Sequence, residues 1–283
     1  MNQFYKMKTN FLKALLSILF SFLIFYSASA QSYLPTSDAR SIALGGSQQL
    51  IGDAYGVFNN AASLAWIEKP TFVISSSNRF FLKELAGAGA GFALPSKYGV
   101  FGLNINYSGF NNFNRKLVGL SYTQKINNNI ALAVKADYLQ TSIAEYGNHN
   151  TLTADVGVCI KVIKELSVGV NVFNPFMVSG GYYADEKIPT EFSLGMNYQL
   201  SDRVLMIAEE SKEMNTPSRF HGGIEYKPGN KIFIRGGIST QPFEYAFGAG
   251  FILKSFSVDI ASAYHSQLGY SPSLSLKYVL SKK

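Results

Sequence analysis

The feature that most constrains the fold is an alternation of apolar and polar residues that begins near residue 70 and continues to the C-terminal region. In segment 101–108 every second residue is large and apolar: Phe101, Leu103, Ile105 and Tyr107. A period of two places one face of a β-strand in an apolar medium and the other in a polar one. A soluble β-sandwich and a membrane β-barrel both produce this pattern.

The number and spacing of these segments favour the barrel. We predict fourteen strands, at 71–79, 85–94, 98–109, 115–125, 129–142, 151–163, 166–174, 189–200, 203–210, 218–227, 231–239, 243–253, 256–265 and 272–280. A tilted strand needs about nine to eleven residues to cross a bilayer, and bacterial barrels have even strand numbers. Short connections alternate with longer ones such as 109–115, 142–150 and 175–188. Short periplasmic turns alternating with longer outer loops would place both termini in the periplasm.

Composition agrees with a membrane protein that lacks apolar helices. Charged residues make up 15% of the chain and aromatic residues 14%, whereas roughly a quarter of the residues are charged in soluble domains. Beyond the N-terminal leader no apolar run is long enough for a spanning helix. The expected fold class is all-β, a transmembrane antiparallel β-barrel of about 14 strands, with outer-membrane lipid around it. The net charge of +7 includes three leader lysines and is not clustered, so we expect no nucleic-acid partner.

The first thirty residues have the organisation of a secretory signal peptide. Lys6, Lys8 and Lys13 precede an apolar run over 14–26, and an Ala-Ser-Ala sequence ends at Ala30. This order of basic, apolar and small-residue regions predicts cleavage after residue 30. A retained anchor is the alternative, but the run is short for a spanning helix. The expected location is the outer membrane of a Gram-negative bacterium.

Residues 31–69 lie between the leader and the first strand and have neither strand nor long-helix periodicity. Gly45 and Gly46 interrupt an apolar stretch, Asp53 lies in a turn, and Asn59 and Asn60 suit turns or helix caps. A compact segment of small residues suits the inside of a barrel, although an ordinary N-terminal loop would look similar. We therefore predict a plug, or hatch, over 31–69 and a barrel over 70–283.

This stretch resembles the start of mature FadL-like proteins, the outer-membrane channels for hydrophobic molecules, and resembles the PorV/PorQ-type branch associated with type IX secretion at least as closely. The similarity lies in small residues around 44–46, then Asp53-Ala54, Asn59-Asn60-Ala61, and a strand opening at 69–72. The family usually has Asn-Pro-Ala where this chain has Asn60-Ala61-Ala62. The resemblance implies a fourteen-stranded barrel with an N-terminal hatch inside it.

Eight charged residues fall on the inferred lumen face of the strands: Lys135, Asp137, Asp155, Lys161, Glu225, Arg235, Asp259 and Lys277. His221 and His265 fall on the same face. The signs are balanced, which suits a filled lumen better than an ion-selective pore. Asp53 is a candidate partner for these charges. The glycines at 87, 89 and 91 would leave room for a plug or would mark a kinked strand.

No catalytic or metal site is evident in the sequence. His149, His221 and His265 lack metal-ligand spacing, and no cofactor motif is present. A site assembled from His265, Asp259 and a nearby serine would be needed for an enzyme. Cys159 is the single cysteine, so no internal disulfide forms. We expect no enzyme, no cofactor and no metal.

Two functions lead from the sequence, and a purely structural barrel is a third alternative. The first is a PorV/PorQ-type accessory of protein secretion, whose outer loops at 142–150 and 175–186 would bind secretion-system subunits or secreted cargo. The second is a FadL-like passive transporter of a hydrophobic ligand. The modest, polar outer loops favour the first by a small margin, and this choice depends on analogy.

Overall fold

The computed structural model describes residues 38–178, 188–214 and 216–280. Its fourteen strands, β1 to β14, are Thr71–Asn78, Ala86–Ser96, Gly99–Phe110, Phe113–Lys125, Ile130–Ile143, Gly147–Lys161, Leu166–Phe173, Glu191–Ser201, Val204–Glu213, Arg219–Tyr226, Ile232–Ser239, Glu244–Leu253, Phe256–His265 and Gly269–Val279. Each strand is antiparallel to its neighbours in the chain, and β14 pairs with β1 to close the barrel. The prediction of a fourteen-stranded antiparallel barrel is confirmed.

The barrel is closed because its first strand is paired with the last strand as well as with the second. Thr71 lies opposite Val279 on one side and Ala93 on the other, so β1 is paired on both edges. Even β2, whose alanine–glycine repeat has low strand propensity, is paired along its length with β1 and β3. Pairing of every strand with two neighbours satisfies backbone groups that lipid could not.

The outside of the barrel is apolar. Exposed side chains at every second position include Ile74, Ile105, Leu120, Val134 and Ile234. Aromatic pairs mark one end of the wall, where Phe72 stacks on Phe92 with ring centroids 4.2 Å apart and Phe256 lies 4.5 Å from Tyr278. Such an exterior is stable in lipid and costly in water. Within the described residues, no helix is both long and apolar enough to cross a membrane.

The two ends of the barrel differ in their connections. We call the end that carries the connections after β2, β4, β6, β8, β10 and β12 the turn end, and the opposite end the loop end. At the loop end, residues 79–85 form two 3-10 helices, Arg79–Phe81 and Lys83–Leu85. The longest connection, 174–190, includes residues 179–187, which lie outside the described residues.

The expected long loops at 109–115 and 142–150 are wrong. Only residues 111–112 connect β3 to β4, and only 144–146 connect β5 to β6. The polar residues that indicated loops continue the strands instead, with Asn114 paired to Ser142 and Thr141 to His149. Polar side chains on both faces of a strand indicate water on both faces rather than an irregular backbone, and these hairpins extend past the apolar belt.

Residues 38–70, which we call the hatch, lie inside the barrel. They form an α-helix, α1 (Ala39–Ala43), and two 3-10 helices, Ala54–Val57 and Ala61–Trp66. Hydrophobic residues of the 3-10 helices, among them Tyr55, Val57 and Leu64, are buried against inward-facing Val73, Ala93, Val100 and Ala133 of the wall. The predicted signal peptide at 1–30 lies outside the described residues and stays a prediction, as does the boundary of the hatch at residue 31.

Candidate functional site: the hatch inside the barrel

Three polar residues begin the three helices of the hatch. Asp38 accepts from the backbone N–H of Ser41, Asp53 from that of Tyr55, and Asn60 from that of Ala62 at 2.9 Å. Such caps satisfy N–H groups that the first turn of a helix leaves without partners. They let a short, irregular segment keep its backbone polar groups paired while it is buried.

A chain of alternating charges joins the hatch to the β10–β14 wall. It consists of Lys277, Asp53, Arg40, Glu225, Arg235 and Asp259 in that order. Arg40 of α1 binds Glu225 through two N–H groups at 2.9 Å each and also binds Asp53. Arg235 contacts Glu225 and Asp259 at 2.6 Å each. We call these six residues the ion chain, and three cations balance three anions in it.

Asp53 and Tyr55 tie the hatch to both ends of this chain. The Asp53 carboxylate accepts from Lys277 Nζ at 3.0 Å, and the Tyr55 hydroxyl donates to Asp259 at 3.3 Å. Burial would raise the pKa of Asp53, but Lys277 and Arg40 outweigh it and hold the pKa below its usual range. The carboxylate therefore stays ionised and paired at neutral pH.

The opposite side of the hatch is held by neutral groups. The Asn60 side-chain amide donates to Gln49 Oε1 at 2.7 Å and to the β7 carbonyl of Val170 at 3.0 Å. Thr123 of β4 donates to the carbonyl of Ala61 at 2.7 Å. Ala61 and Ala62, which stand where the family has Pro-Ala, continue into a 3-10 helix without a proline.

Glycines on the lumen face let the hatch approach the wall. A Cβ at Gly91 of β2 would collide with the side chain of Val57, and one at Gly89 would lie 3.1 Å from the Phe58 ring. At Gly237 of β11 a Cβ would collide with backbone atoms of Leu44 and Gly45. The glycine-rich β2 therefore matches the surface of the hatch, as expected for a strand that makes room for a plug.

Gly45 and Gly46 form the turn after α1 that reaches β10. Both have positive φ, of 78° and 84°, which favours glycine. His221 Nδ1 lies 2.6 Å from the Gly45 carbonyl, and its Nε2 lies 3.1 Å from the Ser211 hydroxyl. A carbonyl only accepts, so Nδ1 carries the proton and Nε2 accepts from Ser211.

The following residues of the hatch bind a carboxylate of β9. One oxygen of Glu209 accepts from the Ser47 hydroxyl at 2.6 Å and from the backbone N–H groups of Gln48 and Gln49 at 2.7 and 3.0 Å. Sequence reasoning missed both Glu209 and Arg40. Glu209 precedes Glu210, so alternation alone did not show which of the two faces the lumen.

The eight predicted lumen charges fall into separate groups. Four of them, Glu225, Arg235, Asp259 and Lys277, belong to the ion chain. Lys135 lies 3.0 Å from Asp155 and 3.8 Å from Asp137, within the adjacent strands β5 and β6. Lys161 lies over the ring of Trp66 at 4.4 Å, at the turn end of the hatch. Asn59 donates to Asp38 at 3.1 Å and so braces α1 from within the hatch.

The proposed assembly of His265, Asp259 and a serine does not occur. His265 Nδ1 accepts from backbone N–H groups of its own hairpin, while Asp259 is bound by Arg235 and Tyr55. His221 and Ser211 do meet, but the nearby backbone N–H groups of Gly45, Gly46 and Gln48 already donate to Ile42, Ser41 and Glu209. These three groups therefore offer no oxyanion hole to an acyl-transfer site.

No metal-binding group of three or more acidic, histidine or cysteine side chains occurs among the described residues. Cys159 is a free thiol buried beside the hatch with Ala133 and Ala61. It packs as a small residue facing the lumen. Its side chain is shielded from solvent, whereas reactive cysteines are usually at least partly exposed.

A closed β-barrel with a folded hatch inside it is the class of protein that this architecture defines. No protein-family model matches the sequence, and no protein of curated function matches it. Solved structures do match the fold over nearly the whole barrel. Three of them are described here, and each is only 10–13% identical to this chain.

The toluene transporter TodX of P. putida aligns with a TM-score of 0.70 at 11% identity, over 88% of this chain and 100% of its own. The toluene transporter TbuX of Ralstonia pickettii gives 0.69 at 10% identity, with the same coverage. A Pseudomonas aeruginosa FadL homologue gives 0.65 at 13% identity, again over 88% and 100%. The chain therefore has the fold of the FadL-type barrels.

Proposed function

We propose that this protein is a FadL-type passive channel that admits small hydrophobic molecules across the outer membrane of a Gram-negative bacterium. The observation that carries this proposal is the structural match to two solved toluene transporters. The match includes the barrel and covers 88% of this chain and 100% of each transporter. The apolar exterior fits the lipid, and the loop end would face outward with both termini in the periplasm.

Passage through this barrel requires a change at the hatch. The hatch fills the middle of the lumen with buried side chains such as Leu44, Tyr55 and Leu64. A hydrophobic molecule that entered the lumen from the loop end would meet these residues. Displacement of residues 38–70 from the wall would open the route, and the ion chain sets how readily this occurs.

The secretion-accessory hypothesis has less support than the transporter. It depended on outer loops at 142–150 and 175–186 as docking elements. Residues 142–150 form a tight hairpin, and most of 175–186 lies outside the described residues. The solved structures of the same fold carry names of transporters or of FadL, and none of the three is named for secretion.

Uptake of a hydrophobic dye tests the transporter directly. N-phenyl-1-naphthylamine fluoresces once it reaches phospholipid, and an intact outer membrane slows its entry. In a Gram-negative host, cells that produce the protein should take up the dye several times faster than cells with the empty vector. Equal rates at matched amounts of folded protein would refute the proposal.

A reversible crosslink tests the part played by the hatch. A Cβ built on Gly169 lies 3.2 Å from that of Gln49, close to the roughly 3.5–4.5 Å of natural disulfides. The variant Gln49→Cys, Gly169→Cys, with Cys159→Ala to remove the native thiol, should lose dye uptake when oxidised and regain it on reduction. The oxidised and reduced forms of one protein serve as each other's control. Equal dye uptake by the two forms would exclude hatch displacement as the route.

A further inference from the structure

A cavity of about 210 Å³ lies over the loop-end side of the hatch. Gly45, Gly46 and Gln48 form part of its floor, and the ends of surrounding strands form its sides. The floor is fixed in place, because His221 binds the Gly45 carbonyl and Glu209 binds the Gln48 N–H. This space is therefore a built pocket.

The sides of the cavity carry charges of both signs. Its lining includes Arg79 of the 3-10 helix after β1, and Glu213, Arg219 and Glu244 at the loop ends of β9, β10 and β12, together with the buried Glu191. Serine and threonine hydroxyls fill much of the remaining wall, and Ala246 and Ala263 are small. Such a lining is poorly suited to a hydrocarbon, since burying charged groups against it would cost their hydration.

Four of these charges have no ion-pair partner among the described residues. Within the described part of the chain, the ion pairs within 4.0 Å do not include Arg79, Arg219, Glu213 or Glu244. Arg219 is nevertheless oriented, because its Nε donates to the Gln241 carbonyl at 2.9 Å. By contrast, every charge of the ion chain, which lies below the same floor, has a close partner of opposite sign.

The arginines and Glu244 interact across the cavity. Burial lowers the pKa of Arg79, Glu244 opposes that effect, and Arg219 adds to it. Arg79 thus has a like charge, Arg219, and an opposite charge, Glu244, in its neighbourhood, and it forms no ion pair with Glu244 within 4.0 Å. A ligand that brings its own carboxylate and its own ammonium would complement both signs at once.

We propose that this cavity binds a small zwitterionic molecule, with its carboxylate at Arg79 and Arg219 and its ammonium at Glu213 and Glu244. The volume corresponds to roughly seven water molecules and lies below the roughly 300 Å³ of sites for drug-sized ligands. The ligand is therefore of the size of an amino acid. The cavity lies on the loop-end side of the hatch, where the proposed route begins, but binding to it is measured without transport, so failure of this site and failure of the proposed channel are distinguishable.

Three probes with the same four-carbon chain test the proposal on the unmodified protein. Calorimetric titration of the purified barrel in detergent at low salt would compare 4-aminobutanoate with butanoate and butylammonium. Since hydrogen bonds to charged groups contribute strongly, 4-aminobutanoate should bind at least about tenfold more tightly than either singly charged probe. Equal binding of butanoate would indicate an anion site, and equal binding of butylammonium a cation site, and each result would overturn the proposal.

Matched variants locate the site. Arg219→Gln and Glu213→Gln should each weaken 4-aminobutanoate by about tenfold. The control variants Lys116→Gln and Glu145→Gln each neutralise one charge of the same sign at an exposed loop-end position outside the cavity. They should change the affinity for 4-aminobutanoate by less than twofold. Heat-dependent gel mobility would verify that each variant forms a barrel. Absence of saturable binding by the unmodified protein, or equal effects of the cavity and control variants, would refute the assignment.

Discussion

Two clusters of buried charge face the lumen, and they differ in what they hold together. The ion chain crosses from the hatch to the β10–β14 wall, and every carboxylate in it has an ion pair within 3.0 Å. The cluster of Lys135, Asp137 and Asp155 lies wholly within β5 and β6. It has two anions for one cation, and both Asp137 oxygens lack a hydrogen-bond partner among the described protein atoms.

This difference indicates which cluster controls the position of the hatch. Close, balanced pairing across an interface makes that interface sensitive to the loss of any member, because the remaining charge is left buried and unpaired. A cluster confined to two adjacent strands depends on the barrel alone. We therefore expect substitutions in the ion chain to release the hatch and substitutions in the second cluster to leave it in place.

The largest effect is expected from Arg40→Gln. Arg40 is the link between Asp53 and Glu225, so its loss leaves two buried carboxylates short of a cation and weakens hatch binding by about 3–5 kcal/mol. In planar bilayers this variant should conduct ions where the unmodified protein is closed. Conductance equal to that of the unmodified protein would show that the ion chain does not hold the hatch.

A steric change should act next, without altering charge. Gly237→Val would force a side chain into the backbone at Gly45, and overpacking of this kind costs about 1–3 kcal/mol. The control is Gly236→Val, since a Cβ at Gly236 meets nothing within 4 Å. Protease cleavage within the hatch should increase for the first variant only, and equal cleavage of both would contradict the close approach at Gly237.

Lys277→Met should have a smaller effect than Arg40→Gln. Lys277 ends the ion chain, its side chain is 23% exposed, and Asp53 keeps Arg40 as a partner. The expected loss is about 1 kcal/mol after allowance for solvent screening. Its bilayer conductance should fall between those of the unmodified protein and Arg40→Gln, and conductance above that of Arg40→Gln would reverse the order assigned to the chain.

The smallest effect is expected from Asp137→Asn in the second cluster. The substitution removes a buried negative charge whose nearest described cation, Lys135, is 3.8 Å away, and Asp155 keeps its closer pair with that lysine. The free energy of unfolding, measured in denaturant, should fall by no more than about 0.5 kcal/mol or should rise, as for a substitution that creates no new unpaired charge. A marked loss of resistance or a gain in conductance would place Asp137 in the hatch machinery.

The sequence predicts the wall of this barrel far better than its contents. Strands such as β3 and β5 are evident because lipid imposes alternation along most of their length. Arg40 was not foreseen as the centre of the ion chain, because its partners Asp53 and Glu225 are 13 and 185 residues away. Pairing at such separations follows from the register of the barrel and from the path of the hatch. The local sequence pattern predicts neither of them.

The loop-end hairpins show a second limit of the sequence. Asn114 and Asn150 predict loops when strands are expected to end at the lipid boundary, yet both continue strands. Backbone pairing is obligatory in lipid, but it also continues into water where neighbouring strands stay in register. Hydrophobic periodicity therefore reports where the membrane ends, which is a different boundary from the end of a strand.

The position of Trp66 allows its fluorescence to report on the position of the hatch. It is the single tryptophan of the protein, it lies in the hatch, and the lysine ammonium of residue 161 on the wall is 4.4 Å from its ring. Indole emission responds to nearby charge and to water, so movement of the hatch would change both the intensity and the wavelength of fluorescence. Hatch motion is thus measurable in real time in unlabelled protein, with excitation at the red edge of indole absorption, where the tyrosines of the wall absorb little.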